Sequence, residues 1–487
     1  MDFHLNRQIT SSDPSRDQLW HSDEIRYKCH QHNPAAKIHP LVMLRDSDPR
    51  PRFPVEIFDL FIDVLAAYDR TDLDTAIAAL RNCSLVSRSF AHRARTHLFR
   101  VVELGGYADN SIDRAFGLYH LLGWTSSTPG AIGNITPLVK DLFFDYEDAP
   151  KSPRLEAVVA SILQLLNDSG QGITDFTIAH DGNWSDLGAE LKSELCRLIR
   201  SPGMRYLHLR GLEGVPKTLL LGTGIESLIL EQITCSETPE AINSISDDPL
   251  QGNQSYPRLA RLRLDQVNQR ATGLLGNSDS MARGTNHSAL TALHELSITV
   301  FNQADCDALA QLLMHTEETL GDLRILMGFV SFHSVIDLRR MKRLNVVHVG
   351  PVDIGLDLRQ ALLYFELLLG IVMVPDTLES LNLGFLVDIT LDEWVGDQAG
   401  TLASFLETLS EPPESNVWRP LNDIFWTRFS KVAQVDISLG FHQDTSQTPV
   451  VNLQFIRRAE ELIRMALPFF SGKAGSVPAL KVDVAPH

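Results

Sequence analysis

The sequence predicts an α/β protein in which a short helical module precedes a long region of parallel strands and helices. The composition changes sharply at Phe53, where a polar stretch gives way to an apolar helix. Beyond Val101, short β-like runs alternate with amphipathic helices, as a parallel or solenoid architecture requires. We therefore expect a disordered tail at residues 1–50, a helical module at 51–104 and a large domain at 105–487.

Composition and cysteine usage are typical of a globular protein from a reducing compartment. The 487 residues are 44% hydrophobic and 21% charged, which is enough for more than one core. The five cysteines lie far apart without a C-x-x-C pair, which argues against a disulfide framework and a zinc finger. The N-terminus lacks the apolar segment of a secretory signal, and the longest apolar run, Ala361 to Val374, is too short to span a bilayer. We expect a cytoplasmic or nuclear protein with no membrane contact.

The net charge of -18 is unevenly distributed along the chain. The first 100 residues hold 14 basic and 13 acidic residues, and subtracting these from the totals of 43 and 61 leaves 29 against 48 in the remainder. An acidic body repels the phosphate backbone of nucleic acids. General nucleic-acid binding is therefore not expected.

Three short helices are predicted in the module, and the first, from Pro54, is apolar on both sides. One side carries Ile57, Leu60, Phe61, Val64 and Leu65 at helical spacing. The other side carries Val55, Phe58 and Ile62. One small core cannot cover both sides of this helix.

The second helix is predicted over Thr75 to Val86, and the third over Ser87 to Phe99. Three helices within about fifty residues form a core that is too small for comfortable independence. The module is therefore expected to need support from a partner or from the domain that follows it.

An apolar-x-x-apolar-x-apolar run recurs ten times beyond Val101. The copies are Val139-Leu142-Phe144, Ile173-Phe176-Ile178, Met204-Leu207-Leu209, Ile225-Leu228-Leu230, Leu259-Leu262-Leu264, Leu293-Leu296-Ile298, Leu320-Leu323-Ile325, Met341-Leu344-Val346, Leu378-Leu381-Leu383 and Val432-Val435-Ile437. Helical stretches fall between them at Leu155 to Leu166, Asp186 to Arg200, Asp305 to Leu320, Leu358 to Val374 and Thr401 to Ser410. The spacing is near repeat length but irregular, so the pattern indicates a degenerate solenoid or an open α/β sheet and favours the first.

Motifs for phosphate binding, catalysis and metal binding are incomplete. The Gly222 to Gly224 segment lacks the third glycine of a dinucleotide turn, and Gly472-Lys473 lacks the hydroxyl that must follow in a P-loop. Neither an H-E-x-x-H zinc motif nor a G-x-S-x-G elbow occurs. Cys29, His30 and His32 lie together without a second ligand pair at a defined spacing. We expect a non-catalytic protein without cofactor or metal.

The helical module carries a distinctive set of residues, namely Phe53, Pro54, Ile57, Leu65, Leu80, Val86, Ser87, Arg88 and Phe90. Together they match a pattern that begins with Leu-Pro and continues as an apolar helix. Later in the pattern come Leu, Val, a Cys or Ser, a Lys or Arg, and Trp. Residues 53 to 104 thereby resemble the F-box as it occurs in large fungal F-box families. Phe53 for Leu, Phe90 for Trp and the longer stretch between Leu65 and Leu80 depart from that pattern.

The resemblance implies that the module binds the Skp-type adaptor of a cullin-RING ubiquitin ligase. One apolar side of the first helix would pack within the module while the other meets the adaptor, as in helix-in-groove recognition. The implied adaptor contacts are Pro54, Ile57, Phe58, Phe61, Leu65, Leu80, Val86, Arg88 and Phe90. The large domain, interpreted as an irregular leucine-rich-repeat-like horseshoe, would hold a target protein for ubiquitination.

Other interpretations of the same residues stay open. Leu85, Val86 and Phe90 are equally compatible with a plain core position. A helix-turn-helix DNA reader would use Arg81, Arg88, Arg93, Arg95 and Arg100. A repeat scaffold that binds partners without ubiquitin chemistry would need only the large domain.

Side chains between the apolar positions of each run are expected on the open face of the sheet, because strand side chains alternate between faces. In the middle strands these are Tyr206, His208, Arg210, Arg261, Arg263, Asp265, Arg324 and Arg343, and all of them except Asp265 are predicted target contacts. Arginine clusters suit carboxylates and phosphates, so we predict an acidic or phosphorylated target segment across these strands. The alternative is charge pairing between strands, for example of Arg263 with a nearby aspartate.

Overall fold

The computed structural model describes residues 55–67, 73–105, 111–127, 135–146, 152–169, 172–236, 256–266, 274–275, 289–327, 336–351, 366, 369, 372–388, 406–407, 410, 418–429, 431–442, 453–467 and 479–486. The chain divides into two compact units, Met1–Leu98 and Phe99–Pro486. The described residues of the first unit form three helices: α1 (Val55–Ala67), α2 (Leu73–Val86) and α3 (Arg88–Leu98). Ile62, Leu80 and Ala94, one from each helix, form its core. All three helices predicted from the sequence are present, within two residues of the expected bounds.

Among the described residues, the second unit is built on a sheet of twelve parallel strands. In sheet order these are β1 (Val101–Gly105), β2 (Asp141–Asp145), β3 (Asp175–Asn183), β4 (Tyr206–Glu213), β5 (Ser227–Glu231), β6 (Arg261–Asp265), β7 (Glu295–Val300), β8 (Asp322–Met327), β10 (Val346–Pro351), β12 (Ser380–Asp388), β13 (Gln434–His442) and β14 (Ala479–Pro486). Sheet order follows chain order without a reversal. Two short strands, β9 (Ile336–Asp337) and β11 (Val372–Met373), pair in a separate parallel sheet.

Six helices of the second unit fall within the described residues. They are α4 (Ser111–Ser127), α5 (Pro153–Asp168), α6 (Ala189–Ile199), α7 (Gln303–His315), α8 (Arg419–Arg428) and α9 (Leu453–Ala466). The amino end of α7 shows how the sequence sets a helix start: the Asn302 side chain accepts from the Asp305 amide, and the Asp305 carboxylate accepts from the Asn302 amide. No helix in the described part of the chain has the length and apolar character needed to cross a bilayer.

Two positions of each strand point into one continuous core. In β6 these are Leu262 and Leu264, which lie in register with Leu228 and Leu230 of β5. Apolar residues of α5, α6 and α7 are buried in the same cluster. Because strand side chains alternate, the intervening residues lie on the opposite face of the sheet. This face is the one on which the sequence placed the target site.

Nine of the ten predicted runs overlap a strand of the large sheet in the correct phase, and the phase of the tenth run is wrong. The core positions of β10 are Val347 and Val349, which lie in register with Leu323 and Ile325 of β8. The run is therefore Leu344-Val347-Val349 and not Met341-Leu344-Val346. Both versions fit the same apolar spacing, so only the pairing with β8 distinguishes them.

Strands β1 and β14 were not among the predicted runs, although Phe99-Val102-Leu104 and Val477-Leu480-Val482 carry the same apolar spacing. Residues 101–104 were expected in the helical module. They belong to the sheet, because β1 pairs with β2 along its whole length.

Two predicted helices also differ from the structure. The helix expected over Asp305 to Leu320 ends at His315, and the segment expected to be helical up to Val374 contains β11 near its end. The remainder of 358–374 lies largely outside the described residues, as do the predicted tail with Cys29, His30 and His32, the residue Pro54 and most of the predicted helix at 401–410.

Candidate functional site

An apolar stripe on α1 is exposed. Ile57, Leu60, Phe61 and Val64 follow the i, i+3, i+4, i+7 spacing of one helix face, and each is between 51% and 60% exposed. Ile62, on the other side of the helix, is fully buried. Covering apolar area is favourable by roughly 25 cal/mol per Å², so four large side chains in one stripe mark an interaction surface.

The end of α2 exposes two more apolar residues. Leu85 is 80% exposed and Val86 is 68% exposed. Isolated apolar residues on a surface need no explanation, but these two are consecutive and belong to the same helical unit as the α1 stripe. Leu60, Val64 and Leu85 were not among the predicted contacts, although Leu60 and Val64 stand on the helical stripe read from the sequence.

The predicted adaptor contacts separate into two groups. Ile57, Phe61 and Val86 are exposed. By contrast, Leu80 lies in the core at 5% exposure, and Leu65 and Phe90 pack against that core. The ring centroid of Phe58 lies 5.1 Å from that of Phe90, an ordinary distance for an aromatic pair.

The second group therefore holds the three helices together, and the first group is available to a partner. Leu80 is the clearest change of role, because a side chain with 5% exposure presents almost no surface to another protein. Pro54 and the Arg88 side chain lie outside the described residues.

A polar cluster ties α1 to α3. Arg93 donates to both carboxylate oxygens of Asp63, from Nε at 2.7 Å and from Nη2 at 2.5 Å. His97 Nε2 lies 2.8 Å from Asp63 Oδ1. The hydrogen bond from Arg93, followed by the one from His97, lowers the pKa of Asp63 to about 2. The cluster fixes the orientation of the helix that carries the exposed stripe.

Replacing Asp63 with asparagine should loosen the contact between α1 and α3 by about 1 kcal/mol or less, because the carboxylate is partly exposed and solvent screens the pair. Hydrogen exchange of the full chain, followed by mass spectrometry of peptides from α1 and α3, measures this. Because folding lowers the pKa of Asp63, its contribution is complete above about pH 4 and is lost as the pH falls towards 2. The difference between wild type and Asp63→Asn should narrow over the same interval. A difference that persists at the acidic end would contradict the ion pair as its source.

The open face of the sheet carries three rows of side chains, each in register from strand to strand. The first row runs Asp141, Asp175, Tyr206, Ser227, Arg261, Glu295 and Asp322. The middle row runs Phe143, Thr177, His208, Ile229, Arg263, Ser297, Arg324, His348 and Asn382. The last row runs Asp145, Ala179, Arg210, Glu231 and Asp265.

Six of the seven predicted target contacts lie on these rows, and Arg343 does not. Arg343 lies before β10, which begins at Val346. In the correct phase of that strand, His348 is the residue in register with Arg324 on the open face. Arg343 was assigned to the face only through the incorrect run at Met341. His348 was missed for the same reason.

Two of the predicted contacts, His208 and Arg210, pair with a buried glutamate. Glu231 is 8% exposed, and its carboxylate lies 3.3 Å from Nε2 of His208 and 3.2 Å from Nε of Arg210. The carboxylate of Glu231 in β5 thus lies beside two side chains of the neighbouring strand β4. This arrangement matches the predicted alternative of charge pairing between strands.

The other arginines of the face are differently placed. Arg261 and Arg324 are exposed, and neither has an ion pair with any residue that the structure describes. Arg263 is partly exposed, with its Nη2 3.6 Å from Asp265 Oδ2 within the same strand. These three side chains are the part of the predicted target site that can still engage a ligand.

An acidic pair occupies the early end of the first row. Asp141 and Asp175 are register neighbours, and burial together with the charge of Asp175 raises the pKa of Asp141 to about 6. Arg100 Nε lies 3.5 Å from Asp141 Oδ2. No group of three or more potential metal ligands occurs among the described residues, so this pair has no third carboxylate, histidine or cysteine to complete a metal site.

The arginines considered for DNA binding are partly engaged. Arg93 is held by Asp63 and Arg100 by Asp141. Phosphate contacts require free basic groups, so this arrangement weighs against a helix-turn-helix reader.

No protein-family model matches the chain, and comparison with curated proteins finds no significant match.

Proposed function

We propose that this chain is the substrate-recognition subunit of a cullin-RING ubiquitin ligase. The helical unit acts as an F-box that binds a Skp-type adaptor, and the adaptor connects it to the cullin. The large sheet forms an irregular leucine-rich-repeat-like solenoid that holds a target protein. The chain itself is non-catalytic in this proposal and supplies two binding surfaces.

The observation that carries the proposal is the exposed apolar stripe of α1. An i, i+3, i+4, i+7 set of anchors is the form in which an amphipathic helix enters a hydrophobic groove. The inward side of α1 is fully used by the core around Ile62, so the stripe is surplus to the folding of the unit. A helical unit with so small a core also benefits from a bound partner.

The order of the strands supports the solenoid. In a doubly wound open sheet the strand order reverses at a switch point. Here twelve described strands follow chain order, as expected when each repeat stacks only on its neighbours. This favours the solenoid over the open α/β sheet that the sequence left as its alternative.

A double substitution in the stripe tests the adaptor surface. Replacing Leu60 and Phe61 with glutamate should reduce recovery of a purified Skp-type adaptor by at least about tenfold, because two charges would be buried at the interface. The measurement is a pull-down with the full chain. Met465→Glu is the matched control, because Met465 is also an exposed apolar residue on a helix but lies in the second unit.

Retention of the adaptor by the double variant at the wild-type level would refute the proposed contact face. If the wild-type chain itself recovers neither adaptor nor cullin, the alternative of a partner-binding scaffold without ubiquitin chemistry replaces the proposal. Unchanged hydrogen exchange in α2 and α3 would show that the variant is folded.

A further inference from the structure

The last strand of the large sheet has an open edge. Among the described strands, β14 pairs with β13 alone and is the outermost strand of the sheet. An edge strand presents a row of main-chain N–H and C=O groups that can pair with another strand. The outer edge of β14 is therefore a surface on which a further strand can extend the sheet.

Alternate residues of β14 direct their main-chain groups to this edge. The Ala479 amide donates to the Ala433 carbonyl over 2.9 Å, so Ala479 uses its hydrogen-bonding groups on β13. Along a strand of a parallel ladder, successive residues direct these groups to opposite sides. Leu480, Val482 and Val484 therefore each present an amide and a carbonyl to the open edge.

The sequence of this strand is symmetric about Val482. From Pro478 to Pro486 it is PALKVDVAP, so proline, alanine and an aliphatic residue occur at equal distances on both sides of the centre. The residues next to the centre are Lys481 and Asp483, which have opposite charges. Both prolines lack the amide hydrogen that a strand ladder needs, which confines pairing to the residues between them. Such a strand is complementary to an antiparallel copy of itself.

We propose that two copies of this chain form a dimer by antiparallel pairing of their β14 edges, with Val482 of each copy at the twofold axis. Val482 exchanges both hydrogen bonds with its own counterpart, and Leu480 does so with Val484 of the second copy. The interface uses the same strand of each copy, so it closes at the dimer and joins the two sheets into one.

Charge complementarity selects this register. Lys481 of one copy lies opposite Asp483 of the other, at a pair without main-chain hydrogen bonds, where the Cα atoms are only about 4.5 Å apart. Opposite charges at such a pair are stabilising, and like charges are destabilising. A slip of two residues in one direction would place lysine opposite lysine, and a slip in the other direction would place aspartate opposite aspartate.

Lys481 is available for this contact. It is exposed and has no ion pair with any residue in the described ranges. Its acidic register neighbour on β13, Asp436, accepts hydrogen bonds from Nε2 of Gln434 at 2.8 and 2.9 Å. The second copy therefore supplies a countercharge that this neighbour does not provide.

The two faces of the sheet also match across the axis. Val482 is 5% exposed in the core, Leu480 packs against that core, and Lys481 is exposed on the opposite face. Residues directly opposite in an antiparallel pair point to the same face. The apolar face of one copy thus continues into the apolar face of the other. A slip of one residue would instead set charged residues against the core positions.

Sedimentation equilibrium of the full chain tests this proposal. One strand pair is a small interface, so the wild type should pass from monomer to dimer with a dissociation constant of roughly 1–100 μM. Lys481→Asp and Asp483→Lys should each raise this constant by at least about tenfold, because each places like charges at both ends of the pair. The two substitutions together should restore the wild-type constant, because the charges are then exchanged and again complementary.

An equimolar mixture of the two single variants should also form the dimer that neither forms alone, which shows that both are folded. Lys217→Asp is the matched control, because Lys217 is an exposed lysine outside β14 with the same change of charge, and it should dimerise as the wild type does. A wild type that is monomeric throughout or assembles beyond the dimer would overturn the proposal. The same holds for single variants that dimerise normally, for a mixture without rescue or for an equal loss in Lys217→Asp. The adaptor pull-down is independent of these outcomes.

Discussion

A fragment of residues 99–260 is expected to aggregate instead of folding as a monomer. It would end between β5 and β6 and would expose the edge of β5, which in the whole chain pairs with β6 from Ser227 to Glu231. Leu228 and Leu230 would lose their buried neighbours in β6. An open apolar edge of this kind pairs with other chains. Size-exclusion chromatography with light scattering measures the outcome.

The fragment of residues 99–486 is the control, because it keeps all twelve described strands of the sheet. It is expected to stay soluble and to melt cooperatively. A monomeric fragment of residues 99–260 that also melts cooperatively would show that the early strands form an independent domain. The continuous core, which runs through strands from both halves, is the physical reason to expect otherwise.

Replacing Gly211 with alanine is expected to lower the free energy of unfolding of the sheet unit by about 2–4 kcal/mol. Gly211 has a φ of +70°, a conformation that costs an L-residue about 1–2 kcal/mol. A Cβ atom there would lie 2.7 Å from the backbone oxygen of His180. The contact is with backbone, at the point where the register of β3 and β4 shifts between Ala179 and Gly182, so relieving it requires the main chain to move. Urea unfolding followed by tryptophan fluorescence measures the loss.

Gly222→Ala separates the two contributions. Gly222 has a similar φ of +75°, but a Cβ atom at this position has no neighbour within 4 Å. Its replacement should therefore cost only the backbone term of about 1–2 kcal/mol. Equal losses in the two variants would contradict a clash at Gly211.

Local features of the chain could be predicted because they depend on local periodicity. Nine of the ten apolar runs mark a strand in the correct phase, since the period of two that places Leu262 and Leu264 on one face is a property of the strand itself. The three helices of the first unit follow in the same way from the period of 3.6. The excess of apolar residues on α1 was also visible in the sequence, and it predicted that one side of the helix is not used by the core.

Which residues make up the candidate sites could be determined only from the tertiary structure. Both sides of α1 are apolar, and only the packing of Ile62 against Leu80 and Ala94 determines that Leu60 and Val64 are exposed. The same packing places Leu80 inside, although its residue type suits either role. Apolar residues have the same helical spacing whether they pack against another helix of the unit or against another protein.

The rows of the sheet face show the same division between local and tertiary information. Alternation along a strand identified Arg263 and Arg324 as residues of the open face, whereas Arg343 was assigned there through a run that is out of phase with β8. That Ser297 lies between the two arginines, and that Glu231 pairs with His208 and Arg210, follows from register between strands that are 20 to 40 residues apart in the chain. Residue type and period are local properties of the sequence. Register is set by the hydrogen bonding and packing of whole strands, so the tertiary structure alone determines which side chains meet.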